Sequence, residues 1–228
     1  MNAIHWVGGS KGGVGKSAVS MALLDYLGEK DPLLVETDTA NPDVAKAYRE
    51  TVKTEMVDLD GTDGWIRLID LCTAHDGPVV INSAARTDVE ENGVMLDEAI
   101  VELGRDLIAL WVINTQRDSI ELLKEFRQGV AAARIHVVRN LYFGPIHKFD
   151  DYDRSEIRKE IEAAGGLTLN FPALADRVAK ELYSERIPID RAAGELTLGN
   201  RIELGRWRRL THGMFDSVIN GEGGAEDE

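Results

Sequence analysis

The sequence predicts an α/β fold, a three-layer, doubly wound and mostly parallel sheet, and three observations predict it. Apolar runs of strand length, at residues 3–7, 33–35, 79–81, 107–113, 135–138 and 167–169, recur between longer stretches whose apolar residues keep helical spacing. That alternation is the pattern of strands joined by crossover helices. The runs are short and continuously apolar, which suits strands buried on both faces. A glycine-rich loop separates the first run from the first helix-spaced stretch, so the chain opens as strand, loop, helix, strand.

The first run, residues 3–7, leads into Gly8-Gly9-Ser10-Lys11-Gly12-Gly13-Val14-Gly15-Lys16-Ser17. Val19, Ala22, Leu23, Tyr26 and Leu27 then fall on one helical face, as a helix packed on a sheet requires. This is the context of a phosphate-binding loop. Glycines at 12, 13 and 15 let successive N–H groups turn toward phosphate oxygens, and the start of the helix adds its positive dipole. Gly12, Gly13, Val14, Gly15, Lys16, Ser17 and Ala18 form the expected binding segment. Lys16 is the residue for the β- and γ-phosphates and Ser17 offers a hydroxyl to the magnesium that bridges them. The strict pattern has glycine where Ser10 stands. Lys11 places a second cation at the phosphates.

The second run ends in Glu36-Thr37-Asp38-Thr39-Ala40-Asn41-Pro42, delivering acids to the strand ends, where open α/β sheets bind ligands. Glu36 and Asp38 are the acids so delivered, and the bland alternative for Asp38 is a cap for a helix starting near Asp43. The third run ends in Asn82-Ser83-Ala84-Ala85, and Asp88, Glu90 and Glu91 follow closely. After residues 135–138 comes Asn140, whose amide has both a donor and an acceptor for a purine edge, or which serves as a turn residue. Pro172 follows the sixth run. A last helix is expected over residues 198–218, with Trp207, Leu210, Met214 and Val218 spaced to face the core. Arg201, Arg206, Arg208 and Arg209 cluster in that helix, a candidate surface for DNA backbone. Helix-surface arginines pairing with nearby acids is the ordinary alternative.

The string Lys11 to Ser17 resembles the deviant Walker A loop of the ParA/MinD ATPases. The resemblance implies that Lys11 reaches across an ATP-bound homodimer to the partner's phosphates. It implies that Asp38 is a switch aspartate that orients the attacking water near magnesium, and that Glu36 stands where the family usually has another aspartate. Asn82 occupies the Walker B position, where the family carries aspartate, and this departure implies slow hydrolysis or reliance on Asp38, unless Asp88, Glu90 or Glu91 supplies the charge. Asn140 and Pro172 match positions that contact and wall the adenine. The segments 38–41, 140–145 and 171–174 narrow the similarity to TraL- and MobD-type plasmid transfer ATPases. ATP or ADP with magnesium is the implied ligand, and a protein of a transfer or partition machinery the implied partner. Two functions stay open: a slowly hydrolysing switch that dimerises with ATP in plasmid or DNA transfer, partition or positioning, and a nucleotide-dependent recruitment module with little or no turnover.

Length and composition bound these readings. At 228 residues, 43% hydrophobic and 29% charged, the chain suits one globular domain over residues 1–219. Residues 220–228, with Glu222, Glu226, Asp227 and Glu228 among glycines, read as an acidic, disordered tail. A formal charge of −14 opposes global attraction to nucleic acid or anionic lipid. No apolar run approaches the roughly 20 residues of a membrane span, and the N-terminus lacks a basic-then-apolar leader, so a cytoplasmic protein without membrane contact is expected. The lone cysteine, Cys72, is expected in the core.

Overall fold

The computed structural model describes residues 2–9, 12–85 and 89–219, apart from the side chain of Glu90. Among them, seven strands lie in one sheet: β1 (Ile4–Gly9), β2 (Leu33–Glu36), β3 (Lys53–Met56), β4 (Val79–Asn82), β5 (Leu107–Ile113), β6 (Arg134–Asn140) and β7 (Thr168–Phe171). Their order is β3-β2-β4-β1-β5-β6-β7, and every pairing is parallel. The expected doubly wound α/β architecture is present.

Helices cover both faces, which is what lets the inner strands carry apolar residues on both sides. One apolar cluster joins the sheet to α1 (Lys16–Leu27), α2 (Asp43–Tyr48), α8 (Asp176–Glu185), α9 (Ile189–Glu195) and α10 (Leu198–Ile219). The opposite cluster joins it to α3 (Thr62–Ala74), α4 (Val89–Leu103), α5 (Asp118–Gly129), α6 (Asp150–Asp153) and α7 (Glu156–Ala163). From β1 the chain winds outward to β2 and β3, returns through β4, then crosses β1 to build β5, β6 and β7. The C-terminal end of β1 is therefore a topological switch point, where ligands bind in sheets of this kind.

The differences from the sequence reading have local causes. β1 runs on through Gly8 and Gly9, paired with Trp111 and Val112, because a side chain would not fit there. A Cβ on Gly9 would lie 2.7 Å from the carbonyl oxygen of Val112. β3 is unexpected, since Lys53-Thr54-Glu55-Met56 has no apolar run; it is an edge strand, where polar residues guard against stray pairing. β7 starts at Thr168, not 167, and reaches Phe171 because its register pairs Phe171 with Asn140. α1 is buried on more than one face, with Ser20, Met21 and Leu24 also enclosed, because α2, α9 and α10 pack over it. In α10, Trp207, Met214 and Val218 face the core as expected, but Leu210 is half exposed. Leu204, Thr211 and Phe215 complete the buried face instead, a stripe rotated away from Leu210. Cys72 is buried, and burial pushes its thiol up to about 11.

Candidate functional site

The phosphate loop joins β1 to α1 at the switch point. Ser10 and the second lysine, Lys11, lie outside the described residues. Val14 is buried and pins the loop to the core, while Gly12 and Gly13 are exposed with open space where a side chain would project. Gly13 (φ 84°) and Gly15 (φ 104°) adopt left-handed backbone, which glycine alone enters without strain. Gly15 caps α1, whose first turn carries no acid, so the positive end of the helix faces the loop uncompensated. Lys16 is buried; burial lowers its ammonium pKa, and the carboxylates of Asp38 and Glu36 offset part of that shift. Ser17 and Ala18 are half-buried in the first turn.

Beside the loop, at the ends of β6 and β7 and lined also by α1, α8 and α10, lies a cavity of about 460 Å³. Gly13, Gly15 and Ala18 form one wall, Asn140 and Tyr142 another, and Pro172 and Trp207 a third. The cavity thus runs from the glycine loop to Asn140 and Pro172. The amide of Asn140 is already engaged locally: Nδ2 donates to the carbonyl of Val14 at 2.8 Å and Oδ1 accepts from the N–H of Tyr142 at 3.1 Å. Each atom keeps capacity for one further bond. Trp207 is the wall residue that the sequence reading assigns only to the core. Its indole N–H donates to the carbonyl of Pro172 at 2.8 Å, and the need of a buried tryptophan for an acceptor is the signal that points to it.

On the other side of the loop, the ends of β2 and β4 are stitched together. Glu36 is fully buried and accepts from Asn82 Nδ2 (2.7 Å), from the N–H of Asp38 (3.2 Å) and from the N–H of Ala45 (3.3 Å). Burial raises its pKa and those hydrogen bonds oppose the rise. Asn82 accepts from the hydroxyl of Ser20 in α1 at 2.8 Å. The hydroxyl of Thr37 donates to the carbonyl of Asn82 and accepts from the N–H of Ala84. Asp38 is half-buried and its Oδ1 accepts from the N–H of Asn41 at 2.9 Å; it caps this loop rather than α2, whose N-cap is Pro42. Of the candidate substitute acids after β4, Asp88 and the Glu90 side chain lie outside the described residues, and Glu91 is exposed on α4.

The four arginines of α10 do not form one basic stripe. Arg208 makes a two-pronged ion pair with Asp25, both contacts 2.8 Å, and His212 contacts the same buried carboxylate. Arg206 pairs with Glu203 one turn earlier. Arg201 and Arg209 are exposed, with no ion pair among the described residues. No described helix is long and apolar enough to cross a membrane. The acidic tail, residues 220–228, lies outside the described residues.

No protein-family model matches the chain. Protein MobD of Acidithiobacillus ferrooxidans is 49% identical over 223 residues, spanning 96% of this chain and 98% of the relative. A protein TraL of Escherichia coli is 25% identical over 239 residues, with 96% and 98% covered. Among solved structures, a protein assigned to plasmid partition in Borrelia burgdorferi and bound to AMPPNP superposes with a TM-score of 0.57 at 13% identity, covering 96% of this chain and all of that one. The MinD cell division protein of Aquifex aeolicus gives 0.52 at 12% identity over 99% of this chain and 100% of its own. At such identities these two structures carry the fold alone.

Proposed function

This chain belongs to the ParA/MinD/TraL/MobD family of deviant Walker A ATPases, and on that premise we propose that it is a magnesium-ATP-dependent molecular switch, slowly hydrolysing, that forms a nucleotide-sandwich homodimer in plasmid transfer or partition. The observation that carries the reading is that Gly13 and Gly15 of the glycine loop line the same cavity as Asn140 and Pro172. Phosphates on one side and a base on the other fit such a channel.

In this reading the backbone of Gly12 to Gly15 and the ammonium of Lys16 hold the β- and γ-phosphates. Oxygen donors suit magnesium, and Ser17, with Asp38 directly or through water, would hold it. When bound, it would supply charge neutralisation at the phosphate oxygens. Asp38, its carboxylate tethered to the N–H of Asn41, orients the attacking water. Asn140 and Pro172 hold the adenine, with Trp207 behind the proline. Lys11 acts in trans across the dimer. The reading places the chain in the cytoplasm with a protein partner of the transfer machinery. DNA contact rests on Arg201 and Arg209 alone, since Arg206 and Arg208 are engaged by acids, and the function proposed here does not require it.

A second reading, a recruitment module that binds ATP with little turnover, is favoured by one observation: β4 ends in a neutral amide bonded to Ser20 and Glu36. The deciding experiment measures ATP turnover and light-scattering mass with magnesium and ATP or ADP, for the wild type, Lys11→Ala and Asp38→Ala. The switch predicts an ATP-specific dimer, lost turnover in both variants and a retained dimer in Asp38→Ala. A wild type that binds ATP and dimerises without turnover selects the recruitment module. A monomer with ATP bound, unchanged by Lys11→Ala, overturns the sandwich-dimer mechanism.

A further inference from the structure

Glu36 collects three donors that belong to three different elements. Asn82 Nδ2 comes from the end of β4 and the N–H of Asp38 from the loop after β2; both meet Oε1, at 2.7 and 3.2 Å. The N–H of Ala45 comes from α2 and meets Oε2 at 3.3 Å. A carboxylate is the one side chain of this length whose two ends are both acceptors; a carboxamide has one acceptor and one donor end. The residue at 82 must then donate toward Glu36 and accept from Ser20, which asparagine does and an ionised aspartate cannot. Two carboxylates 2.7 Å apart would also repel at a buried site.

We propose that Glu36 is the positioning residue for Asp38, and that Asn82 is an amide because it must leave the charge to Glu36 while linking it to Ser20 in the phosphate-loop helix. The inference deepens the switch reading, on which its functional arm rests. Its structural consequence is a chain of contacts, Ser20 to Asn82 to Glu36 to the backbone of Asp38, that ties the helix carrying Ser17 to the loop carrying Asp38. Thr37 extends the tie to Ala84 beyond β4 through its hydroxyl. Residues 36–38 after β2 and 82–84 at the end of β4 are thereby one hydrogen-bonded unit.

Donor and acceptor geometry separates two variants. In Glu36→Gln, the amide keeps its oxygen toward Asn82 and Asp38 and turns its NH2 against the N–H of Ala45. In the exchanged double variant, Glu36→Gln with Asn82→Asp, the NH2 must face the carboxylate introduced at position 82, so the oxygen moves to Ala45 and the Asp38 N–H loses its acceptor. Amide hydrogen exchange on the full-length, nucleotide-free protein reads this directly. Glu36→Gln is expected to speed exchange at Ala45 more than at Asp38, and the double variant at Asp38 more than at Ala45. In turnover, freeing the Asp38 backbone lowers kcat about 10-fold in the double variant with KM within about 2-fold even though an aspartate then stands at the Walker B position, and Glu36→Gln lowers kcat less, because a misplaced reacting group costs rate rather than ground-state binding; a rise in kcat in the double variant would overturn the positioning role. Equal exchange at both amides in both variants, or no change in either, overturns the proposal. If the wild type shows no turnover, the exchange pattern alone decides for or against the positioning role, while the hydrolytic reading fails separately.

Discussion

The two faces of the sheet are built for different tasks. On the face covered by α1, α2, α8, α9 and α10, the strands bury His5, Glu36, Asn82, His136 and Asn140. Each sits where alternation along its strand points it toward α1 and its neighbours. The opposite face buries Trp6, Trp65, Trp111 and Phe126 in a continuous aromatic cluster, with Trp6 stacked on Trp65 at 6.0 Å and Trp111 tilted against Phe126 at 5.0 Å. Arg139, the buried charged strand residue on that face among the described residues, is paired with Asp153 and Asn170. Burying polar groups costs free energy unless every donor and acceptor is met. The aromatic face thus supplies stability that the polar face gives up in order to hold Lys16, Asp38 and Asn140 in register.

The largest effect that tests this division is truncation on the aromatic face. Trp65 is fully buried, stacks on Trp6 and donates from Nε1 to the carbonyl of Leu59 at 3.2 Å. Trp65→Ala is expected to cost about 3–5 kcal/mol of stability, measured by urea unfolding. Nucleotide affinity, measured below the new unfolding midpoint, is expected to stay within about 2-fold if the faces are separable; a loss beyond about 10-fold, or 1.4 kcal/mol, would join them.

How legible each face was in the sequence follows from its chemistry. The strand runs and the helix after the glycine loop were legible because apolar burial leaves a periodic trace. The loop itself was legible because its glycines must occupy left-handed backbone at 13 and 15. Edge strand β3 was invisible, since an edge needs no apolar run. Spacing puts Leu210 in the core because it does not reveal which way a stripe rotates along 22 residues of helix. Asn82 was legible as a departure from a resembled pattern, but not the reason for it. Only three dimensions bring Glu36, 46 positions away, within 2.7 Å. The arginines read as one patch because Asp25, which takes Arg208, is 183 positions distant.

Acid should damage the polar face first. His5 and His136 are buried, and burial, joined by nearby cations, lowers each imidazole from 6.5 to about 4. His136 Nδ1 accepts from the N–H of Leu167 at 3.1 Å; its Nε2 and the Nδ1 of His5 have no partner among the described residues. Both rings are therefore neutral in the folded protein, while the unfolded chain takes up protons below pH 6.5. The stabilisation is complete above that pH and is lost as pH falls from about 6.5 to about 4, by at most about 3 kcal/mol per ring. His5→Leu is expected to remove about half of this slope in urea midpoints taken across that range. An unchanged slope would exclude His5 as a source.

The smallest effect falls where the two tasks meet. Trp207 belongs to the α1-face core yet walls the cavity, and its indole N–H makes the 2.8 Å bond to the carbonyl of Pro172. Trp207→Phe keeps most of the apolar area and the edge-to-face contact with Phe171, 5.5 Å between centroids in the wild type. It removes the N–H and leaves the Pro172 carbonyl without that donor, a loss of about 1 kcal/mol in stability. Because that carbonyl belongs to the residue proposed to wall the base, its freedom to shift predicts a loss of adenine-nucleotide affinity of about 3-fold, with triphosphate-over-diphosphate preference unchanged since the glycine loop is untouched. Fluorescent ATP and ADP titrations separate the cases. A change in that preference would mean that the base wall and the phosphate cradle move as one body, and the boundary between holding and working parts of this face would have to be drawn beyond α10.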